Sequence, residues 1–161
     1  MKSICVFGIF VADLCFFSHT IPIRGQTVLG TKYLVGPGGK GSNRSIAAAR
    51  LGGDVKFITK LGADNHAEMA LSLYKDAGMN TNTITQDAKL TTGVAGIMID
   101  EKTGDNIINV VPGAAANLNN QDIDKNQKTL TDTSIFLTQL ETPSLVTSYA
   151  LGKAKELNNI T

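Results

Sequence analysis

Tryptophan is absent from this 161-residue chain, histidine and cysteine occur twice each, and proline occurs four times. Two cysteines make no disulfide framework. Cys5 and Cys15 both fall in the most apolar part of the sequence, so they read as reduced core residues of a cytoplasmic protein. His19 and His66 stand apart from each other and from any cysteine or carboxylate at metal-ligand spacing; they read as surface or loop residues, and no metal site is expected. Charge of one sign is also missing. Fifteen basic residues against 14 acidic ones give a net charge of +1, with no footprint for nucleic acid or an anionic membrane. No apolar run approaches a membrane span. Lys2 and the apolar run from Ile4 to Ala12 have the outline of a short leader, but Asp13 interrupts it and no small-x-small cleavage site follows. Leu14 before Cys15 is likewise a poor lipoprotein signal, and a buried first strand explains the same letters. Repeats and low-complexity tracts are lacking too.

What is present is an ordinary globular composition, 42% hydrophobic and 18% charged, which suits one domain with one core. Periodicity predicts a buried strand near 3–9, an extended stretch near 26–35 and a helix from about 42 to 52. A short strand at 55–59 follows, then a helix from Asn65 through Ala77 that Gly78 stops. Such alternation predicts an α/β layered sheet with helices on its faces. Residues 92–111 break the pattern, because two apolar segments flank the polar turn 100–105 as in a hairpin. With no helix to cross over, that hairpin is expected to form a small separate sheet together with 26–35, either a lid over the main layer or an edge decoration. Beyond it come a helix after Asn117, a strand at 134–138, an amphipathic helix from about 143 to 157, and strand-like letters at Ile160 and Thr161.

Four glycines fall within the six residues Gly36 to Gly41, just before a helix. They remove side chains where a ligand must approach the backbone and bare the free N–H groups of the helix start. Lys40 adds a cationic donor and Asn43 a bidentate amide, a set suited to a polar or anionic small molecule. A tight turn capped by Ser42 or Asn43 is the plainer alternative, but it needs only one or two glycines. Gly36, Gly38 and Gly41 also match the spacing of a dinucleotide fingerprint. Its acidic partner is missing, however, since Thr59, Lys60 and Leu61 end the next strand. A Walker phosphate loop is excluded because Gly41, rather than Ser or Thr, follows Lys40.

Gly38 to Asn43, the run Ala47 to Gly53 and the segment Lys60 to Asp64 resemble the ribokinase-like family of sugar kinases, the phosphofructokinase B type. So do Gly8 to Asp13, Thr92 to Ala95, Pro112 to Ala114 with Asn117, and Gln139-Leu140-Glu141. The resemblance covers nearly the whole chain and is strongest to the ribokinase branch. It implies a three-layer α/β/α sheet, incomplete here, with a small β-sheet lid. It further implies transfer of the γ-phosphoryl of ATP to the primary hydroxyl of ribose or a related pentose, with ATP and Mg²⁺ as cofactors and K⁺ as a further candidate. By the same resemblance, Asp13, Gly39, Lys40, Asn43 and Glu141 bind the sugar, and a homodimer forms through the lid. Taken singly, each polar residue has a plainer reading: Asp13 and Asn43 as caps, Glu141 as a first-turn residue answering a helix dipole, Lys40 as a solvated charge. Met69, Met79 and Met98 read as core or lid packing.

Two departures from the family pattern matter. Its second motif, of Asp-Thr-x-Gly-Ala-Gly-Asp type, is absent, since Asp132-Thr133 runs into the strand letters Ser134-Ile135-Phe136. The resemblance assigns the general base and the ATP pocket to that missing half, so no catalytic residue is expected before Thr161 and the chain alone is expected to be inactive. Val11 stands where many ribokinases carry a polar sugar contact, and Arg44 where Gln is usual. An apolar Val11 removes a possible hydroxyl contact, which puts ribose in doubt and makes deoxyribose or another pentose plausible. Other readings are a family kinase acting on a fructose derivative, a sugar acid or a nucleoside, and a sugar-binding module without catalysis.

Overall fold

The computed structural model of the chain describes residues 3–161; Met1 and Lys2, the latter part of the leader-like outline, lie outside the described residues. Two four-stranded sheets organise the fold. The first is parallel and has the order β5-β4-β1-β8, from Ile84–Asp87 (β5), Asp54–Gly62 (β4), Ser3–Phe7 (β1) and Ile135–Thr138 (β8). Helices α1 (Lys40–Arg50), α2 (Asn65–Asp76), α3 (Asn120–Asp124), α4 (Gln127–Thr131) and α5 (Ser144–Glu156) accompany it. Period-two alternation on β1 divides the core. Ile4 and Val6 join a cluster with Ile46 of α1 and Ala67, Ala70 and Tyr74 of α2. Cys5 and Phe7 join the cluster on the other face, with Ile123, Leu130 and Val146 of α3 to α5. The result is the expected three-layer α/β/α arrangement. Phe7 and Phe136 stack at 6.5 Å on one side, while Tyr74 meets Phe57 edge-on at 5.5 Å on the other.

The second sheet has the order β3-β2-β6-β7, from Lys32–Gly38 (β3), Val11–Ser18 (β2), Thr92–Asp100 (β6) and Asn106–Gly113 (β7). Its central strand is a correction. The first strand was expected near 3–9 with no second strand directly behind it, but β1 ends at Phe7, and residues 8–10 carry the chain across to open β2 at Val11. A continuous apolar run conceals that change of sheet, because both strands are buried there. The extended stretch expected at 26–35 is displaced to Lys32–Gly38, so the first two glycines of the rich segment belong to a strand. The helix correspondingly starts at Lys40 rather than 42. The short edge strand β5 was not foreseen, and the helix expected after Asn117 is split into the two short helices α3 and α4, preceded by a 3-10 turn at Ala114–Asn117. Cys5 is buried as expected and its thiol is pushed up to about 12, while Cys15 is only half-buried on β2 and is no core residue. Ile160 forms a parallel bridge to Ile135, extending the first sheet beyond β8 by one residue.

Candidate functional site

Strands β1 and β8 end side by side, and β1 has β4 as its other neighbour, so the chain's two directions of winding part at this point of the sheet. Open α/β sheets take ligands at such a place, beyond the carboxyl ends of the strands. Here the chain puts residues 8–10, the start of α1 and residues 139–141. Gly39 enters α1 at φ 90°, and a methyl group on it would lie 2.6 Å from the Ile9 carbonyl oxygen. The helix start is tied down by the Ser42 N–H donating to that same carbonyl at 3.2 Å, and from beneath by the Tyr74 hydroxyl donating to Ser42 Oγ at 3.0 Å. That buried bond makes Ser42 a fixed part of the site floor.

Asp13 reaches the same place from the second sheet. Strand register puts Val11, Asp13, Cys15 and Phe17 on one face of β2, with Asp13 opposite Gly36 on β3 and Ala95 on β6. The carboxylate lies over Gly38, where any side chain would collide with it, while the space above Gly36 is open. Burial pushes the Asp13 carboxyl above its ordinary value, and among the described residues no hydrogen bond to the carboxylate offsets that. Val11, two residues away on the same face, is 4% exposed and presents only apolar surface.

Glu141 comes to the start of α1 from beyond β8. Its Oε2 accepts from the Lys40 backbone N–H at 3.3 Å, and its Oε1 accepts from Lys40 Nζ. A carboxylate at a helix N-terminus answers the helix dipole, a contribution of about 0.3–1 kcal/mol. The ion pair with the largely exposed Lys40 adds about 0.2–1 kcal/mol at most, little enough for a ligand to displace. The structure thus brings Asp13 to Gly38, the residue before Gly39, and Lys40 to Glu141. Asn43 stands somewhat apart. It is exposed in the first turn of α1, its N–H donates to the Gly39 carbonyl at 2.9 Å, and its side chain borders a shallow groove with Pro37, Ile46 and Arg50.

Sequence reasoning gave no role to Gln139, although it was noticed within Gln139-Leu140-Glu141. Its carboxamide is buried against Gly8 and Gly41 without a hydrogen-bond partner among the described residues. His19 is exposed near Glu101 and His66 is half-buried at the start of α2. Among the described residues, no helix is long and apolar enough to cross a membrane.

The family described as pfkB family carbohydrate kinase matches residues 1–154. A ribokinase of Dictyostelium discoideum is 35% identical over 157 residues, covering 98% of this chain and 49% of the relative. A deoxyribokinase of Salmonella typhimurium is 30% identical over 139 residues, 86% of this chain and 45% of the relative. Among solved structures, a ribokinase of Thermotoga maritima superposes with a TM-score of 0.87 at 32% identity, covering 99% of this chain and 51% of that one. The chain spans about half the length of the curated relatives it matches.

Proposed function

The chain belongs to the pfkB family of carbohydrate kinases, and from that premise we propose that it forms the sugar-holding half of a kinase. The reaction would move the γ-phosphoryl of ATP to the primary hydroxyl of a pentose, with ribose the first candidate. One observation carries this reading. The Asp13 carboxylate, short of hydrogen-bond donors in its half-buried position, stands over the glycine turn whose next residue, Lys40, is paired with Glu141. Sugar hydroxyls supply the donors that a half-buried carboxylate lacks, and a polyol can open the weak Lys40–Glu141 pair to use both partners. Asn43 joins them as a bidentate amide at the rim. These residues bind and orient; none is assigned to proton removal.

The proposal places ATP, Mg²⁺ and K⁺ against another part of the fold. Among the described residues no three His, Cys, Asp or Glu side chains are grouped as metal ligands, and none of the site residues is assigned to a cation. Val11 supports a second substrate. A buried apolar side chain on the face of Asp13 offers nothing to a hydroxyl, which suits a deoxypentose, and the similarity to a deoxyribokinase points the same way. The proposal also includes a homodimer through the second sheet, supported by Tyr33, Phe16, Met98 and Ile107. These four lie in one row across the strands, and all are exposed.

Calorimetric titration of the purified chain with ribose and 2-deoxyribose tests the reading. Saturable binding of one of them, abolished by Asp13→Ala, is expected, with no ADP formed above background when ATP and Mg²⁺ are added. A folded chain that binds no pentose would overturn the sugar reading, and ADP formation would overturn the assignment of catalysis elsewhere.

A further inference from the structure

Gln139 follows β8 directly and is 7% exposed. Neither Oε1 nor Nε2 has a hydrogen-bond partner among the described residues, and both atoms are sealed from solvent. The amide fills a slot shaped by two glycines. A side chain on Gly8 would collide with Oε1, and a methyl group on Gly41 would lie 2.8 Å from it. Gly8 and Gly41 also abut directly, since a methyl on either would fall 2.9 Å from the Cα of the other. The slot therefore joins three pieces of chain: the end of β1, the first turn of α1 and the exit from β8.

Packing alone does not account for an amide there. A buried carboxamide without partners costs free energy that a methionine of similar length and shape would not. Buried orphan amides are rare, and this one lies two residues before Glu141. The intervening Leu140 is 90% exposed and anchors nothing, while the Lys40–Glu141 pair is itself too exposed to fix the segment. Glu141 is thus held between two buried residues, Gln139 before it and Thr142 after it. Thr142 is fixed by a hydrogen bond between its Oγ1 and Thr147 Oγ1 at 2.6 Å, whereas the Gln139 amide is placed by its fit against Gly8 and Gly41.

We infer that Gln139 is a positioning residue of the candidate sugar site: wedged between Gly8 and Gly41, it sets where Glu141 meets Lys40. The inference rests on the sugar reading given above. Because the amide is sealed from solvent, it acts through Glu141 and the start of α1 rather than by touching a ligand.

The test is Gln139→Met in the 161-residue chain, with three readouts: Tm, pentose affinity by calorimetry, and the solvent-exchange rate of the Lys40 amide by NMR. A Tm equal to or above that of the wild type is expected because methionine removes the orphan amide, with affinity weakened about tenfold or more because a flexible thioether fills the slot without holding the segment as the planar amide does. The Lys40 amide, having lost its firmly placed acceptor, should exchange several-fold faster. An unchanged exchange rate, or an affinity within twofold of the wild type, overturns the inference. So does a fall in Tm that accompanies the loss of binding, which marks a packing residue. If the wild type binds no pentose, the sugar reading fails, and Lys40 exchange alone decides whether Gln139 positions Glu141.

Discussion

Asp13 is held where its charge is disfavoured. Burial raises its carboxyl above the ordinary value, so the folded state favours the neutral form. The sign of the linkage follows. Stability associated with this group is fully present below its unfolded pKa and is lost as pH rises through the folded one. Asp13→Asn should therefore raise the Tm at pH 7 while weakening pentose binding, and the Tm advantage should vanish below about pH 4. The gain is expected to stay under about 1 kcal/mol, because the carboxyl is partly open to solvent. Thermal melts across pH check this, and an Asn variant less stable than the wild type at pH 7 would refute it. Stability surrendered at a binding residue is a familiar exchange, and it gives Asp13 a signature that a turn cap lacks.

Among the elements, α2 illustrates what a sequence discloses unaided. Its start is written in Asp64, whose Oδ1 accepts from the Ala67 N–H at 2.9 Å, and its end in the glycine at 78. Asp64 does more than cap, because its Oδ2 accepts from the Thr92 N–H at 2.7 Å and so ties α2 to the first residue of β6. Burial works to raise this carboxyl, but the bonds from Thr92 and Ala67 outweigh it and hold the carboxyl below its usual value. Asp64→Ala should cost about 1–2 kcal/mol at pH 7. That stability is present above pH 4 and disappears as pH falls through the lowered folded value, so the two melting curves should converge in acid. The links that stayed hidden are of another kind. Nothing in Ile9 or Phe10 announces a change of sheet, because apolar letters serve both sheets equally. Residues Ile84–Asp87 are too few for a periodicity to register. Gln139 has a local sequence like that of any polar residue after a strand; its meaning comes from Gly8 and Gly41, 131 and 98 residues away. The glycine segment was legible because four glycines before a helix start bare the backbone wherever they fall, whereas Asp13 and Glu141 were singled out by the family resemblance alone, each having a plainer reading as a cap or first-turn residue.

At the scale of the whole molecule, the second sheet exposes apolar side chains on both faces: Tyr33, Phe16, Met98 and Ile107 on one, Leu34, Ile108 and Val110 on that of Asp13. A monomer leaves such surface wet, and a second copy would cover it. Sedimentation is expected to show a dimer for the wild type, and a monomer once Ile107→Lys and Ile108→Lys are combined; a wild-type monomer at high concentration would exclude the homodimer. The order of strands in the first sheet has a consequence in time. β1 is made first, but its neighbour β8 is synthesised last of the eight strands, after the whole second sheet and β4 and β5. A growing chain therefore holds Asp13 and the glycine turn well before Gln139 and Glu141 exist to face them. A nascent chain stalled before Ile135 would therefore carry Lys40 with no Glu141 to pair with it, and Gly8 and Gly41 with no Gln139 beside them.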